Sequence, residues 1–288
     1  MLTLISCPKS FEGALTALHQ DNAIGSWRAL DGEPEILLMG NEPGVSEAAE
    51  RWDALHIPDI RTNACGTPLF SDILQRGQRA ASNDRVAYVN ADIILMDVFR
   101  ADSTACDWNR LAALTGERTD VPLENRIDFS NPHWEDGVRS LALKGEPMNT
   151  GIDYLIFRKG TFSAVPPFAI GRTTFDNWLI WSLRHRRIPL VDASRDLLAV
   201  HQVHESIPWA EVRSTPEARQ NQALVGGWKR SFTVGDATHR LEGGRIESRR
   251  VESLVHRGRV TVAEASGWIR RVLRPVHQRV HGARGNHR

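Results

Sequence analysis

Three short apolar runs constrain this chain most: residues 2–6, 35–39 and 86–89 are four or five residues long, dominated by aliphatic side chains and closed by turn-forming residues. Runs of that length read as strands, and their lack of polar alternation marks strands buried on both faces, as in a parallel sheet covered by helices. Between them the spacing is helical. Phe11, Leu15 and Leu18 recur at helical intervals over residues 11–21, where Asn22-Ala-Ile-Gly25 is expected to break the helix. Gly40-Asn-Glu-Pro-Gly44 stops the second run, and residues 45–55 predict a second helix. A short third strand is expected over 56–60, a loop over 62–68, and an amphipathic helix over 69–81 that leads into strand 86–89. Three βα repeats in a row predict the α/β class, with a mixed, mostly parallel sheet flanked by helices.

The middle of the chain is more polar. Residues 111–139 mix Gly116, Pro122, Asn131 and Pro132 with acidic side chains, and predict a long excursion holding one strand pair. Residues 148–157 turn sharply into a strand, with Gly151 expected at a positive φ. A helix over 175–183 and strands over 188–192 and 196–201 follow, and beyond Pro208 the pattern reads as helix, turn and basic helix. A chain of 288 residues, 41% apolar, can bury a full core. The expected division is an α/β domain over 1–207 and a helical, basic extension over 208–288.

No apolar stretch approaches the roughly 18–20 residues of a membrane helix, and the first residues lack the basic flank and long apolar region of a signal peptide, so a cytoplasmic protein is expected. Cys7, Cys65 and Cys106 form no CxxC pair and read as reduced packing residues. The net charge of +1 hides an asymmetry, because residues 225–288 carry 14 Lys+Arg against 5 Asp+Glu, which leaves −8 for the rest. Such a tail suits a polyanion such as nucleic acid or an anionic membrane surface. The apolar residues interleaved in Trp268-Ile-Arg-Arg-Val-Leu-Arg-Pro275 favour instead a solvated helix docked along one face.

Four constellations carry chemistry, each with a plain structural alternative. Asn90 and Asp92 interrupt an apolar run, where polar groups are tolerated only if paired, hydrogen-bonded or metal-bound. Two residues apart in extended backbone, they share a face and can offer oxygens to one Mg²⁺ or Mn²⁺; a strand-end Asp satisfying loop amides gives the same pattern. Met148-Asn-Thr-Gly151 is a polar turn ahead of a strand, equally readable as turn chemistry alone. Gly171-Arg-Thr-Thr-Phe-Asp-Asn-Trp178 puts Asp176 at a helix start, as a general base or, with Thr174, as a mere cap. The helix dipole favours the ionised carboxylate, so a base there needs compensating desolvation. Arg172 offers a planar fork to phosphate, or forms a surface ion pair. In His201-Gln-Val-His204 the two rings would point to opposite faces of an extended strand, making poor joint ligands, and would share a face in a helical turn; no third zinc ligand stands nearby, so no independent zinc site is expected. His201 alone is either a ligand or a semi-buried packing histidine.

In their order, the βα repeats, the NxD strand end, the NTG turn, the helix opening on Asp176-Asn-Trp178 and the late histidine resemble the layout of GT-A-fold nucleotide-sugar glycosyltransferases over residues 1–205. Asn90 stands where those enzymes more often carry the first Asp of their DxD element. The resemblance implies a GT-A-like, Rossmann-like sheet, with 1–207 binding the nucleotide sugar and carrying catalysis. It implies transfer of a sugar from a nucleoside diphosphate sugar to a hydroxyl acceptor, assisted by Mn²⁺ or Mg²⁺ on Asp92 and His201 with help from Asn90. Donor contacts are implied for Pro8, Lys9, Asn63, Gly66, Thr67, Asn90, Ala91, Asp92 and Arg172, and sugar or acceptor contacts for Asn149, Thr150, Gly151, Asn177 and Trp178. Asp176 would take the acceptor proton in an inverting enzyme; in a retaining one, Asp176 or Asp153 would stabilise the cationic sugar. Other classes stay open. A nucleotidyltransferase can use a similar fold, although no Gly-rich phosphate loop of the GxxxxGK type follows the first strand. A non-catalytic nucleic-acid-binding protein explains the basic tail but not the polar interruptions, and a DNA-directed glycosyltransferase combines the two.

Overall fold

The computed structural model describes residues 1–97, 113–204, 209–227, 230–249, 252–254, 256–258 and 261. Cys106 and the segment Trp268 to Pro275 lie outside the described residues.

Most of the predicted strands form one layer. β1 (Leu2–Ser6), β2 (Glu35–Met39), β3 (Leu55–Ile57) and β4 (Arg85–Val89) pair in parallel. β9 (Tyr154–Arg158) runs antiparallel between β4 and β6 (Ala113–Thr115). β10 (Leu190–Asp192) pairs parallel with β6 and with β12 (His239–Glu242), whose hairpin partner is β13 (Arg245–Ser248). The nine-stranded order is β13-β12-β10-β6-β9-β4-β1-β2-β3. It is mixed and mostly parallel, as expected. The two-residue period divides the core: Leu2, Leu4, Ile36, Leu38, Ala87 and Val89 join one cluster, and Ile5, Leu37, Met39, Val86 and Tyr88 another. α1 (Ala14–Arg28) and α2 (Val45–Arg51) cover the first face; α3 (Phe70–Ala80) and α5 (Phe175–His185) cover the second.

A second, four-stranded sheet decides where the site lies. β5 (Ile93–Met96), β11 (Leu198–Gln202), β7 (Arg118–Val121) and β8 (Glu146–Met148) follow one another across it. The run over 86–95 is thus not one interrupted strand. It is two strands in two sheets, and Asn90, Ala91 and Asp92 cross between them. The strand pair expected within 111–139 is likewise corrected, because β6 and β7 join different sheets, and α4 (Trp134–Ala142) begins before the excursion ends.

The expected break of the first helix at 22–25 does not occur. α1 runs on to Arg28 because tertiary contacts override local preference. Asn22 donates to Gln202 Oε1 (3.0 Å) and accepts from the Ile127 amide (2.9 Å). Trp27 Nε1 donates to Ile93 O (2.8 Å) and Ser26 Oγ accepts from Leu95 N (3.2 Å), so α1 covers the free edge of β5. Gly25 lets Trp52 and Phe129 approach, since a Cβ there would lie 2.7 Å from Trp52.

The boundary expected at 207/208 does not fall at an edge of the layers. Beyond it, α6 (Trp209–Ser214) and α7 (Pro216–Val225) precede a hairpin whose β12 pairs with β10, so these residues complete the large sheet. No described helix is long and apolar enough to cross a membrane.

Gly25→Ala is expected to destabilise the fold by about 1–3 kcal/mol through overpacking against Trp52 and Phe129. Chemical denaturation would show a lower midpoint at unchanged slope; an unchanged midpoint would mean the helix has room there.

Candidate active site

The crossing between the sheets is tightly specified. Asn90 N donates to Asp153 O (2.8 Å), Ile93 N reaches back to Asn90 O (3.2 Å), and Gln202 Nε2 donates to Asp92 O (3.1 Å). β11 pairs antiparallel with β5, which sets His201 opposite Ile93 and beside Asp92. β11 ends at Gln202, and Val203 N continues the bonding to β7 through Val121 O (2.9 Å). The expectation that the two rings point apart is nevertheless overturned, because both imidazoles reach the same Asp92 oxygen. Nε2 of His201 and Nε2 of His204 each lie 3.8 Å from Asp92 Oδ2. The rings are 5.6 Å apart, and one ligand atom from each of the three residues falls within 4.8 Å of the others. His204 is the most open member, at 34% exposure against 13% for His201, so a ligand would enter from its side.

Burial by itself would raise the Asp92 pKa, but His204, His201 and Lys9 outweigh it and hold the carboxyl down at about 2. One carboxylate with two imidazoles is a donor set that could hold a borderline divalent ion.

Asn90 is not part of that donor set. Its Oδ1 accepts from Tyr88 Oη (3.0 Å) and its Nδ2 donates to Asp153 Oδ1 (2.9 Å). Arg118 places Nη1 2.8 and 2.9 Å from the two Asp153 oxygens and donates from Nε to Asp120 Oδ1 (2.7 Å), and Asp120 meets His201 Nδ1 at 3.1 Å. A continuous polar chain therefore runs Asn90, Asp153, Arg118, Asp120, His201. Burial and neighbouring Asp92 push the Asp153 carboxyl upward against the pull of Arg118. Held by Arg118 and Asn90, Asp153 is a poor fit to its expected role beside a sugar cation.

Gly151 does not take the positive φ expected of it. Its need for no side chain has another cause, because a Cβ would lie 3.0 Å from Asp153 Oδ2 and 3.4 Å from Arg118 Nη1. Asn149 and Thr150 are exposed, and Asn177 Nδ2 ties this turn to α5 through Thr150 O (2.9 Å) and reaches Phe232 O (2.8 Å). Thr174 occupies the cap position of α5 at φ +75, yet its hydroxyl donates to Thr173 O rather than to a helix amide. Asp176 Oδ2 accepts from Ile152 N (3.0 Å). Burial, with a further push from Asp153, raises Asp176 to about 6 despite its backbone hydrogen bonds. This is the desolvation a base at a helix start requires.

The other expected residues divide into two groups. Pro8 is buried and Lys9 exposed at the end of β1, where Gln20 clamps Lys9 through N (2.6 Å) and O (3.0 Å), and the Lys9 charge acts on Asp92. Ala91 lies half-buried in the crossing. Asn63, Thr67 and Arg172 converge elsewhere, on Glu217 of α7: Asn63 Nδ2 at 2.5 Å and Arg172 Nε at 2.8 Å. Burial opposes the ionised Glu217, but Thr67, Asn63 and Arg172 hold it below the usual carboxylate range. Arg172 is thus an ion-pair partner rather than an open phosphate clamp, and exposed Gly66 (φ +83) turns the loop they share. Trp178 is 8% exposed and packs on Phe168 and Trp181, which removes it from contact with a sugar. Sequence reading missed His204, Asp120 and Arg118. The HxxH spacing was the available signal for the first; no local pattern marks the others.

No family model matches the sequence, and no curated protein matches it. Solved structures similar to the chain include glucosyl-3-phosphoglycerate synthase from Mycobacterium tuberculosis in complex with phosphoglyceric acid, at 14% identity and TM-score 0.48, covering 80% of each chain. The same enzyme in complex with Mn²⁺, UDP and glucosyl-3-phosphoglycerate gives 15% identity and TM-score 0.46, again covering 80% of each chain. A mannosyltransferase from Pyrobaculum calidifontis in complex with GDP-Man and Mn²⁺ gives 14% and 0.42, covering 74% of this chain and 59% of that one. Likeness at this level carries no residue role across.

Asp176→Asn tests the local electrostatics. A carboxyl raised to about 6 binds its proton more tightly folded than unfolded, so the wild type loses stability as pH rises from about 4 through about 6. The Asn variant keeps an acceptor for Ile152 N and lacks that loss. It is expected to melt above wild type at pH 8, with the gap closing toward pH 4; a gap independent of pH would refute the raised carboxyl.

Proposed function

We propose that this chain is a glycosyltransferase that moves a sugar from a nucleoside diphosphate sugar to a hydroxyl acceptor with the help of a divalent cation. The observation that carries the reading is the convergence of Asp92, His201 and His204 where the chain leaves parallel strand β4, with the Lys9 loop of β1 alongside. In open α/β sheets the carboxyl ends of the strands are where ligands bind. A donor set of one carboxylate and two imidazoles fits a divalent ion with positions left open, and the two nitrogens favour Mn²⁺ over Mg²⁺. Bound there, the cation would neutralise charge growing on a departing diphosphate.

The residues of the chain do the rest. The exposed Lys9 ammonium adds positive charge on the phosphate side, next to Asp92. Asn90 and Arg118 hold Asp153 in place, which keeps its negative charge beside the site without leaving it free to move. Asp176, raised to about 6, is ionised at neutral pH and still basic enough to accept the proton of an attacking hydroxyl. It outranks Asp153 as proton acceptor because, among the described residues, its side chain accepts one hydrogen bond from outside its own helix start, from Ile152 N, whereas Asp153 is bound by both Arg118 and Asn90.

The test is a thermal-shift series with nucleoside diphosphates and their sugars, with and without Mn²⁺. One nucleoside diphosphate is expected to raise the melting temperature only when Mn²⁺ is present, since a ligand at about 100 times its Kd adds about 2.7 kcal/mol to the native state. Asp92→Asn and His204→Ala should each abolish that shift, read against the melting temperature of the same variant without ligand. Stabilisation by triphosphates and not diphosphates would replace the reading with nucleotidyl transfer, and a shift unaffected by both substitutions would remove the metal from it.

A further inference from the structure

His201 carries a carboxylate on each ring nitrogen: Asp120 Oδ1 lies 3.1 Å from Nδ1 and Asp92 Oδ2 lies 3.8 Å from Nε2. A neutral imidazole has one N–H, and the shorter contact places it on Nδ1, toward Asp120. The lone pair of Nε2 then points to the side where Asp92 and His204 converge. Two features fix this arrangement before any ligand arrives. β7 pairs parallel with β11 in a register that sets Asp120 opposite His201, so the strands themselves deliver the carboxylate to the ring. Arg118 Nε donates to the same Asp120 oxygen at 2.7 Å, while its Nη1 is held by Asp153, which stops the carboxylate from rotating away. Asp120 itself lies outside the three-residue donor set.

We infer that Asp120 is a positioning residue that fixes the tautomer and orientation of His201, presenting Nε2 as a preformed nitrogen ligand for a divalent cation on Asp92 and His204. The inference rests on the metal-binding reading of this site and goes beyond it, assigning the source of the site's affinity to a residue that does not touch the ion. A partner that orients a ligating histidine typically contributes a factor of about 10–100 in metal affinity. Because the donated N–H also raises the electron density of the ring, the same bond strengthens the ligand it aims.

Mn²⁺ titration of the wild type, Asp120→Ala and Asp120→Asn, followed by electron paramagnetic resonance of the free ion, tests it, together with a pulsed measurement of the imidazole nitrogens on bound Mn²⁺. The wild type is expected to show two nitrogens. Asp120→Ala should raise the Kd about 10- to 100-fold and weaken or lose one nitrogen, whereas Asp120→Asn, which keeps an oxygen for Nδ1–H, should stay closer to wild type with both. Unchanged affinity in Asp120→Ala, or lower affinity in Asp120→Ala with both nitrogens intact, would overturn the positioning role and leave the metal site standing. A wild type that binds no Mn²⁺ would instead overturn the metal reading, and this inference with it. If Asp120→Ala does not fold, long-range ¹H–¹⁵N spectra of the Zn²⁺-loaded wild type decide: Nδ1 protonated and Nε2 bound is expected, and the reverse overturns the proposal.

Discussion

The arrangement of the site depends on one half-buried cation, the guanidinium of Arg118. It is 18% exposed, it donates to Asp120 of its own strand and to Asp153 at the head of β9, and so it fastens the small sheet to the large one. Without it, Asp153, Asp120 and Asp92 would face one another as three carboxylates in poorly solvated space, and like charges at such spacing do not all stay ionised. Removing one partner of a buried pair leaves the other uncompensated, typically at about 3–5 kcal/mol. Arginine suits this place because its charge is permanent and its planar fork reaches two acceptors in fixed directions. The tight seat of Gly151 against this ion pair follows from the same constraint.

α1 completes the frame from the other side. Nine consecutive residues from His19 to Trp27 are buried, among them His19, Gln20, Asp21, Asn22 and Ser26. A helix so polar survives in the interior only because each group has work: Gln20 closes on Lys9, Asn22 meets Gln202, Asp21 accepts from Arg51 and Arg126, and Ser26 serves the edge of β5. Gln202 passes the connection on, donating to His19 O (2.7 Å) and to Asp92 O (3.1 Å). The crossing that carries Asp92 is therefore tied to α1 through Gln202.

Much of this was legible in the chain. Asp92 stood out because a carboxylate amid aliphatic residues demands a partner; Asp176 and Lys9 drew attention through the resemblance in layout, one at a helix start and the other after the first strand. Other residues misled for identifiable reasons. Trp178 carries a helical period that fits core packing as well as a ligand face, and it is core. Arg172 and Asn63 read as phosphate and nucleotide contacts until Glu217, 45 positions from Arg172 and 154 from Asn63, took both. Breakers at Asn22 and Gly25 lost to contacts with Gln202 and Trp52 that no local window contains.

The sequence by itself determined the α/β class, the buried parallel strands, and the places where a polar side chain would be costly unless used, because burial periodicity and the penalty for an unpaired charge are properties of short segments. The tertiary structure alone decided that residues 90–92 cross between two sheets, that His204 joins His201 on Asp92, and that Asp120 stands behind His201. Those facts depend on strand register between segments some 80 to 110 residues apart, and a two-residue period cannot specify which strand becomes whose neighbour.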